Sequence, residues 1–209
     1  MAQVRPYRGV EAPERAAQRR LRFLQAGLDL LGSPEYGIVD ESAELTVRAI
    51  CRRAGVTVRY FYEAFADKDE FVAAVFDWVI NDIATTTQAA AATAGPRQRN
   101  RAVMTDIVRT VAGDPRVGRL LFSSKLSNAV VMRKRAESGA LFAMLSGRHA
   151  STALQQTPND RITAAAHFVV GGVAQTISAW LAGGVSLGRD ELVDQLTAMI
   201  DQLSDPRLY

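Results

Sequence analysis

A chain of 209 residues can bury the core of one or two domains, and with 48% hydrophobic and 22% charged residues it groups with globular rather than disordered chains. Its net charge of +3, from 25 basic and 22 acidic residues, excludes a generally basic domain, so any surface for nucleic acid must be a local patch. The single cysteine, Cys51, excludes an internal disulfide and suits a reducing compartment. No run reaches the roughly 18–20 uninterrupted apolar residues of a membrane span. The N-terminal arginines have no apolar stretch behind them, as a secretory signal requires. The expected location is the cytoplasm, with no membrane partner.

Apolar residues recur at helical spacing, and sustained strand alternation is absent. Pro13 suits a first helical turn; Ala17, Leu21, Leu24, Leu28 and Leu31 then form one stripe, stopped by Gly32, Ser33 and Pro34. A polar loop through Tyr36, Gly37, Asp40 and Glu44 follows. Thr46 caps a short helix with Val47, Ile50, Cys51 and Ala54 on its buried face. Gly55 breaks it, and Thr57 caps a second that turns Val58, Phe61 and Phe65 inward. Asp67 with Glu70 forms a capping box that opens a longer helix with Phe71, Val75, Trp78, Val79 and Ile83. Ala89–Ala94, Gly95 and Pro96 end it.

A helix with Val103, Ile107, Val108 and Val111 comes next, then a short one after Asp114-Pro115. A long helical region spans about Leu126–Leu154, with possible breaks near Ser138-Gly139 or Gly147. Ile162–Leu181 and about Asp190–Leu203 complete an all-α, nine-helix, two-domain chain. The first domain, 1–68, is a three-helix unit carrying a helix-turn-helix. The second, 69–209, is helical throughout.

Two short helices joined by a glycine turn form a helix-turn-helix, whose second helix fits the major groove of double-stranded DNA. Its outward positions are Thr57, Arg59, Tyr60, Tyr62 and Glu63, and Arg59 can read guanine bidentately. Charge supports this locally. Arg48, Arg52, Arg53 and Arg59 have no acidic residue among them. Arg5, Arg8, Arg15, Arg19, Arg20 and Arg22 face only Glu11 and Glu14, which makes Arg5 and Arg8 a candidate phosphate-contacting arm.

The run T-V-R-A-I-C-R-R-A-G-V-T-V-R-Y-F-Y-E-A-F-A-D-K-D-E-F, Thr46 to Phe71, resembles the N-terminal domain of TetR-family regulators. Thr46, Ile50, Ala54-Gly55-Val56, Phe61-Tyr62, Phe65 and Lys68 stand at the matching positions, within a match over about residues 14–80. The resemblance implies that Thr46, Thr57 and Lys68 contact phosphates, that Tyr62 contacts the backbone or a thymine methyl, and that Arg59 and Tyr60 choose sequence. Arg48 and Val58 complete the DNA-facing set. Arg59 departs from the small residue usual at its position, and Ala64 from the usual Tyr or His. A phosphate contact at position 64 is therefore absent, and the operator should be unusual.

In the second domain the resemblance assigns dimerisation to the last two helices, here through Gly171, Ala174, Ser178, Leu192, Leu196 and Met199. Small residues let helices approach closely, and two copies would form a four-helix seam. A pocket for an unknown small-molecule effector is expected among Trp78, Met104, Ile107, Phe122, Leu126, Phe142, Leu145, His167 and Phe168. No cofactor is implied. His149 and His167 lack metal-ligand spacing, and there is no phosphate-cradling glycine loop, paired-cysteine motif or H-E-x-x-H. The expected function is transcriptional repression relieved by a ligand. The competing reading is a helical adaptor or enzyme that keeps the motif without reading DNA.

Overall fold

Helical periodicity without strand alternation is realised, among the described residues, as nine α-helices and one 3-10 turn. The structure is a computed structural model that describes residues 12–34 and 45–203, with no strand among the described residues. The helices are α1 (Ala12–Leu31), α2 (Val47–Ala54), α3 (Val58–Ala64), α4 (Lys68–Thr93), α5 (Arg99–Gly113), α6 (Pro115–Phe122), α7 (Ala129–Leu154), α8 (Asp160–Leu181) and α9 (Arg189–Gln202), with the 3-10 turn Pro96–Gln98 before α5. The proposed arm residues Arg5 and Arg8, and the loop through Tyr36–Glu44, lie outside the described residues.

Polar caps set where the helices start. Thr46 Oγ1 accepts from Ala49 N at 3.1 Å, Asp67 Oδ1 from Glu70 N at 2.8 Å, Asn128 Oδ1 from Val130 N at 3.0 Å and Asn159 Oδ1 from Ile162 N at 3.0 Å. Such a cap contributes about 1 kcal/mol. The box at Asp67 closes one residue early: Glu70 Oε2 accepts from Ala66 N at 2.7 Å. Thr57 stands at the α3 N-cap but makes no side-chain capping bond. α7 runs unbroken through Ser138, Gly139 and Gly147. A mid-helix glycine costs only about 1 kcal/mol, and no proline is there to remove a bond.

α1 packs on α2, α3, α4 and α6; α4 lies against α5 and α7; α5 meets α6 and α9; α8 lies on α6 and α7. One connected apolar core runs from Phe23 on α1 to Leu196 on α9. In the helix-turn-helix it is aromatic: Phe23, Phe61, Phe65 and Phe71 are essentially sealed, with ring centroids 5.2–5.9 Å apart. The α1 stripe is buried only from Phe23 onward. Leu21 is exposed, as is Ala17.

Polar bonds tie the layers. Asp106 on α5, buried, accepts from Thr86 Oγ1 at 2.7 Å and Thr87 Oγ1 at 3.1 Å on α4, and pairs with Arg109. Lys134 on α7 meets Asp77 on α4 at 2.6 Å, and that contact raises the Lys134 pKa. Arg135 on α7 closes the C-terminal end of α6. Its guanidinium donates to the carbonyls of Leu120 (2.7 and 3.0 Å), Ser123 (2.9 Å) and Arg119 (3.0 Å), and burial pushes its pKa down. A cation at a helix C-terminus is favoured by the helix dipole.

Candidate nucleic-acid interface and adjoining cavities

The turn between α2 and α3 rests on Gly55, in the left-handed region at φ 64°, ψ 33°. A Cβ there would meet no neighbouring atom, so the requirement is conformational rather than steric. With that turn fixed, α3 seats Phe61 and Phe65 in the aromatic core and leaves its other side in solvent. Thr57, Val58, Arg59, Tyr60 and Tyr62 are all exposed, as are Thr46 and Arg48 on the α2 side. Val58 had been expected to point inward as well as to face DNA; it is 41% exposed, because the core at that level is filled by Phe61. Lys68 is partly buried at the start of α4.

Several contacts fix this surface. The Arg59 guanidinium pairs with Glu63 one turn later, Nε to Oε1 at 2.9 Å. Arg19 on α1 stacks on the Tyr60 ring at 4.3 Å. Arg20 stacks on Phe65 at 4.5 Å and donates to the Ala64 carbonyl at 2.7 Å, closing the C-terminal end of α3. Sequence reasoning placed Arg19 and Arg20 only in a basic cluster. A cation lying 44 positions before the carbonyl it caps leaves no local signal.

Two cavities flank the junction between this unit and the remaining helices. The larger, about 600 Å³, opens where the end of α1, α5, α6, the 123–128 loop and the end of α8 meet. Its walls are apolar at Leu31, Val111, Phe122, Leu126, Trp180 and Leu181, charged at Arg119, Lys125 and Arg189, and polar at four serines between them. The smaller, about 380 Å³, lies between α1, α4 and the α5–α6 turn, beside Trp78, Asp29, Asp82, Asp114 and Arg116.

The nine expected pocket residues are not gathered together. Phe122 and Leu126 line the larger cavity and Trp78 the smaller. Met104 is buried core, while Ile107 and Phe142 are half-buried. Leu145, His167 and Phe168 stand on the outer faces of α7 and α8, Phe168 69% exposed, and line neither cavity. The expected dimer face also divides. Leu192 and Leu196 are sealed inside the protomer, where α9 packs on α5. Met199 and Gly171 are exposed and Ala174 is half-buried, and Ser178 donates its hydroxyl to the Phe122 carbonyl at 2.7 Å. Apolar periodicity marks a helix face that must be covered, and does not say whether the cover is the same chain or another.

A polar seam joins the cavities to the helix-turn-helix. Asp29 on α1 meets Arg53 of α2 at 2.6 Å and also pairs with Arg116 of α6. Arg116 is held in turn by Asp114 at 2.6 Å, which lowers the Asp114 pKa. Arg119 donates to the carbonyl of Gly32 at the end of α1. At Gly32 a Cβ would stand 2.7 Å from the Arg116 backbone, so α1 and α6 touch main chain to main chain.

Residues 42–75 match the model of the bacterial regulatory proteins of the tetR family. No curated protein matches the sequence. The fold is similar to that of the fatty acid degradation regulator FadR from Bacillus halodurans (TM-score 0.69, 13% identity, covering 94% of this chain and 97% of that one). A TetR-family regulator from Syntrophomonas wolfei superposes with a TM-score of 0.70 at 14% identity, covering 90% and 95% of the two chains. FadR from Bacillus subtilis, in complex with stearoyl-CoA, gives 0.61 at 15% identity over 89% and 98%. The chain thus carries, over residues 42–75, a helix-turn-helix similar to that of the tetR family of bacterial regulatory proteins, and along nearly its whole length it has the fold of solved TetR-family regulators.

Proposed function

We propose that the protein is a homodimeric repressor that leaves a pseudo-palindromic operator when a small molecule occupies the cavity beside α6. It acts in the cytoplasm, where the DNA is, and has no catalytic role. The observation that carries the DNA reading is the split face of α3: Phe61 and Phe65 are sealed, while Thr57, Arg59, Tyr60 and Tyr62 are exposed on one short rod. Thr46, Arg48, Val58 and Lys68 extend that surface toward the phosphates. The Thr57 hydroxyl is not engaged in capping, which leaves it available to a phosphate oxygen. The division at 68/69 falls at the first residue of α4, which carries the DNA-binding unit on its front turns.

Dimerisation is supported by α8. By length and composition it is apolar enough to cross a membrane, with mean hydropathy 1.3 over a window only 17% buried. Such a face in water needs a cover. Phe168, Gly171 and Gly172 lie along it, exposed, and a Cβ on either glycine would meet no atom of the protomer. A second α8 seated there, with Met199 of α9 at the margin, would bury it. Two α3 helices about 34–36 Å apart would then read half-sites one turn apart.

The effector would act by population shift. A ligand that favours a different α6 position would move α1 through Arg116–Asp29 and Arg119–Gly32, and with α1 the helix-turn-helix. The test is fluorescence anisotropy on DNA upstream of the protein's own gene, titrated with salt, alongside sedimentation. Specific binding with a steep salt slope and a dimeric mass are expected. Binding no tighter than to random DNA, or a strictly monomeric chain with and without DNA, would overturn the reading. Arg59→Ala should relax preference at one base pair per half-site, costing about 1–3 kcal/mol.

A further inference from the structure

The charges around the two cavities differ in sign. Among the described residues the larger is lined by three cations, Arg119, Lys125 and Arg189, and by no carboxylate. The smaller is lined by three aspartates, Asp29, Asp82 and Asp114, against the single Arg116. A general positive bias of the chain therefore does not explain the first set. Its three members come from separate elements: α6, the 123–128 loop, and the first residue of α9. Among the described residues none of the three forms an ion pair, whereas Arg53, Arg59, Arg101, Arg109 and Arg116 all do. Arg119 is held by one bond, from Nε to the Gly32 carbonyl, while a guanidinium carries five donors.

Apart from Ser33, Ser123, Ser124 and Ser178, the rest of the lining fits an apolar body. Leu31, Val111, Phe122, Leu126 and Leu181 offer no side-chain hydrogen-bonding group. The Trp180 indole already donates to the Leu187 carbonyl at 2.8 Å, so its ring serves only as wall. About 600 Å³ is within the usual range for a small-molecule site. We propose that this cavity binds an amphipathic organic anion, an apolar chain or ring ending in a carboxylate or phosphate, with the head group among Arg119, Lys125 and Arg189. Its role as effector rests on the function proposed above; the charge class of its occupant does not.

Trp180 lines this cavity and Trp78 the other, and they are the two tryptophans of the chain. In full-length Trp78→Phe protein, Trp180 emission therefore reports occupancy. Dodecanoate, dodecyl phosphate, dodecan-1-ol and dodecyltrimethylammonium, each below its micellar concentration, are the probes. Both anions should bind saturably and at least about tenfold more tightly than the alcohol, and the cation more weakly still, because a charge-assisted head-group contact is worth about that much. Lys125→Gln/Arg189→Gln should remove most of that advantage and leave the alcohol unchanged. Both side chains are exposed, so the double variant should fold; if its circular dichroism falls, the two single variants decide.

Equal binding of alcohol and anions, no binding of any probe, or an advantage untouched by the charge-removing variants would overturn the proposal. If anions bind but operator affinity stays the same, the anion site stands and the effector role falls. If operator affinity responds equally to the alcohol, the effector role stands and the anion assignment falls.

Discussion

Asp29→Ala tests how the two halves of the chain communicate. Asp29 joins three elements: it sits on α1, accepts from Arg53 of α2 at 2.6 and 2.8 Å, and pairs with Arg116 of α6. Its side chain is 21% exposed, against 57% for Arg53 and 45% for Arg116, so both pairs are partly screened. At about 0.2–1 kcal/mol for an exposed pair, two pairs around a mostly sheltered carboxylate give about 1–2 kcal/mol. For a chain of this size that lowers Tm by roughly 2–8 °C. Arg116 keeps Asp114, so the α6 N-terminus should stay formed. The larger consequence is regulatory. If the seam transmits α6 movement, the ratio of operator affinities with and without effector should shrink about fivefold for each kcal/mol of coupling lost. Thermal melts and operator titrations of Asp29→Ala, Arg116→Ala and the double variant measure both effects. An unchanged effector ratio, or effects of the two substitutions that simply add, would refute the coupling role of Asp29.

Three further outcomes are expected. Arg135→Ala strips the α6 C-terminus of its guanidinium cap and should cost about 2–3 kcal/mol, seen in urea unfolding; Arg135→Lys should rescue little, because an ammonium cannot span three carbonyls. Gly55→Ala forces a Cβ into the left-handed turn and should destabilise by about 1–2 kcal/mol with weaker operator binding; no neighbouring atom clashes, so an unaltered melt would mean that the turn conformation carries no strain. Glu63→Ala frees Arg59 from its intrahelical pair and should tighten binding to random DNA more than to the operator, checked by anisotropy at two salt concentrations.

The helix-turn-helix was readable in the sequence because its determinants are local: Thr46 three residues before the amide it caps, Gly55 where a left-handed residue was needed, Phe61 and Phe65 four apart. The start of α8 was readable for the same reason, since Asn159 caps the amide three residues on, and α9 begins at Arg189, one residue before the expected Asp190. What failed was the direction in which stripes face. Leu192 and Leu196 have the same spacing whether α5 or a second copy covers them, and α5 does. Phe168 stands on α8 like a core residue and is exposed. Arg20, Arg119 and Arg135 were missed as structural cations because the carbonyls they cap lie 44, 87 and 12–16 positions away. The larger cavity drew on five separate segments, and only Phe122 and Leu126 of the nine expected residues reach it.

The DNA-binding unit is held to the rest of the chain by two contacts of different kinds. At the front of α4, Phe71 and Val75 bury apolar area against α1, and such contact is non-directional, so it tolerates a small rotation at little cost. Further along, α4 is pinned to α5 by Asp106 and to α7 by Lys134–Asp77, so its rear moves with the C-terminal helices. The α1–α6 seam is the other contact. It is polar and directional, with Asp29–Arg116 and Arg119–Gly32 each requiring a particular approach of α6 to α1. The apolar contact then acts as the pivot, and the seam sets the angle. Because Gly118, Arg119 and Phe122 of α6 line the larger cavity, a ligand bound there, as proposed, would press on the helix at that seam, one helix away from the exposed face of α3.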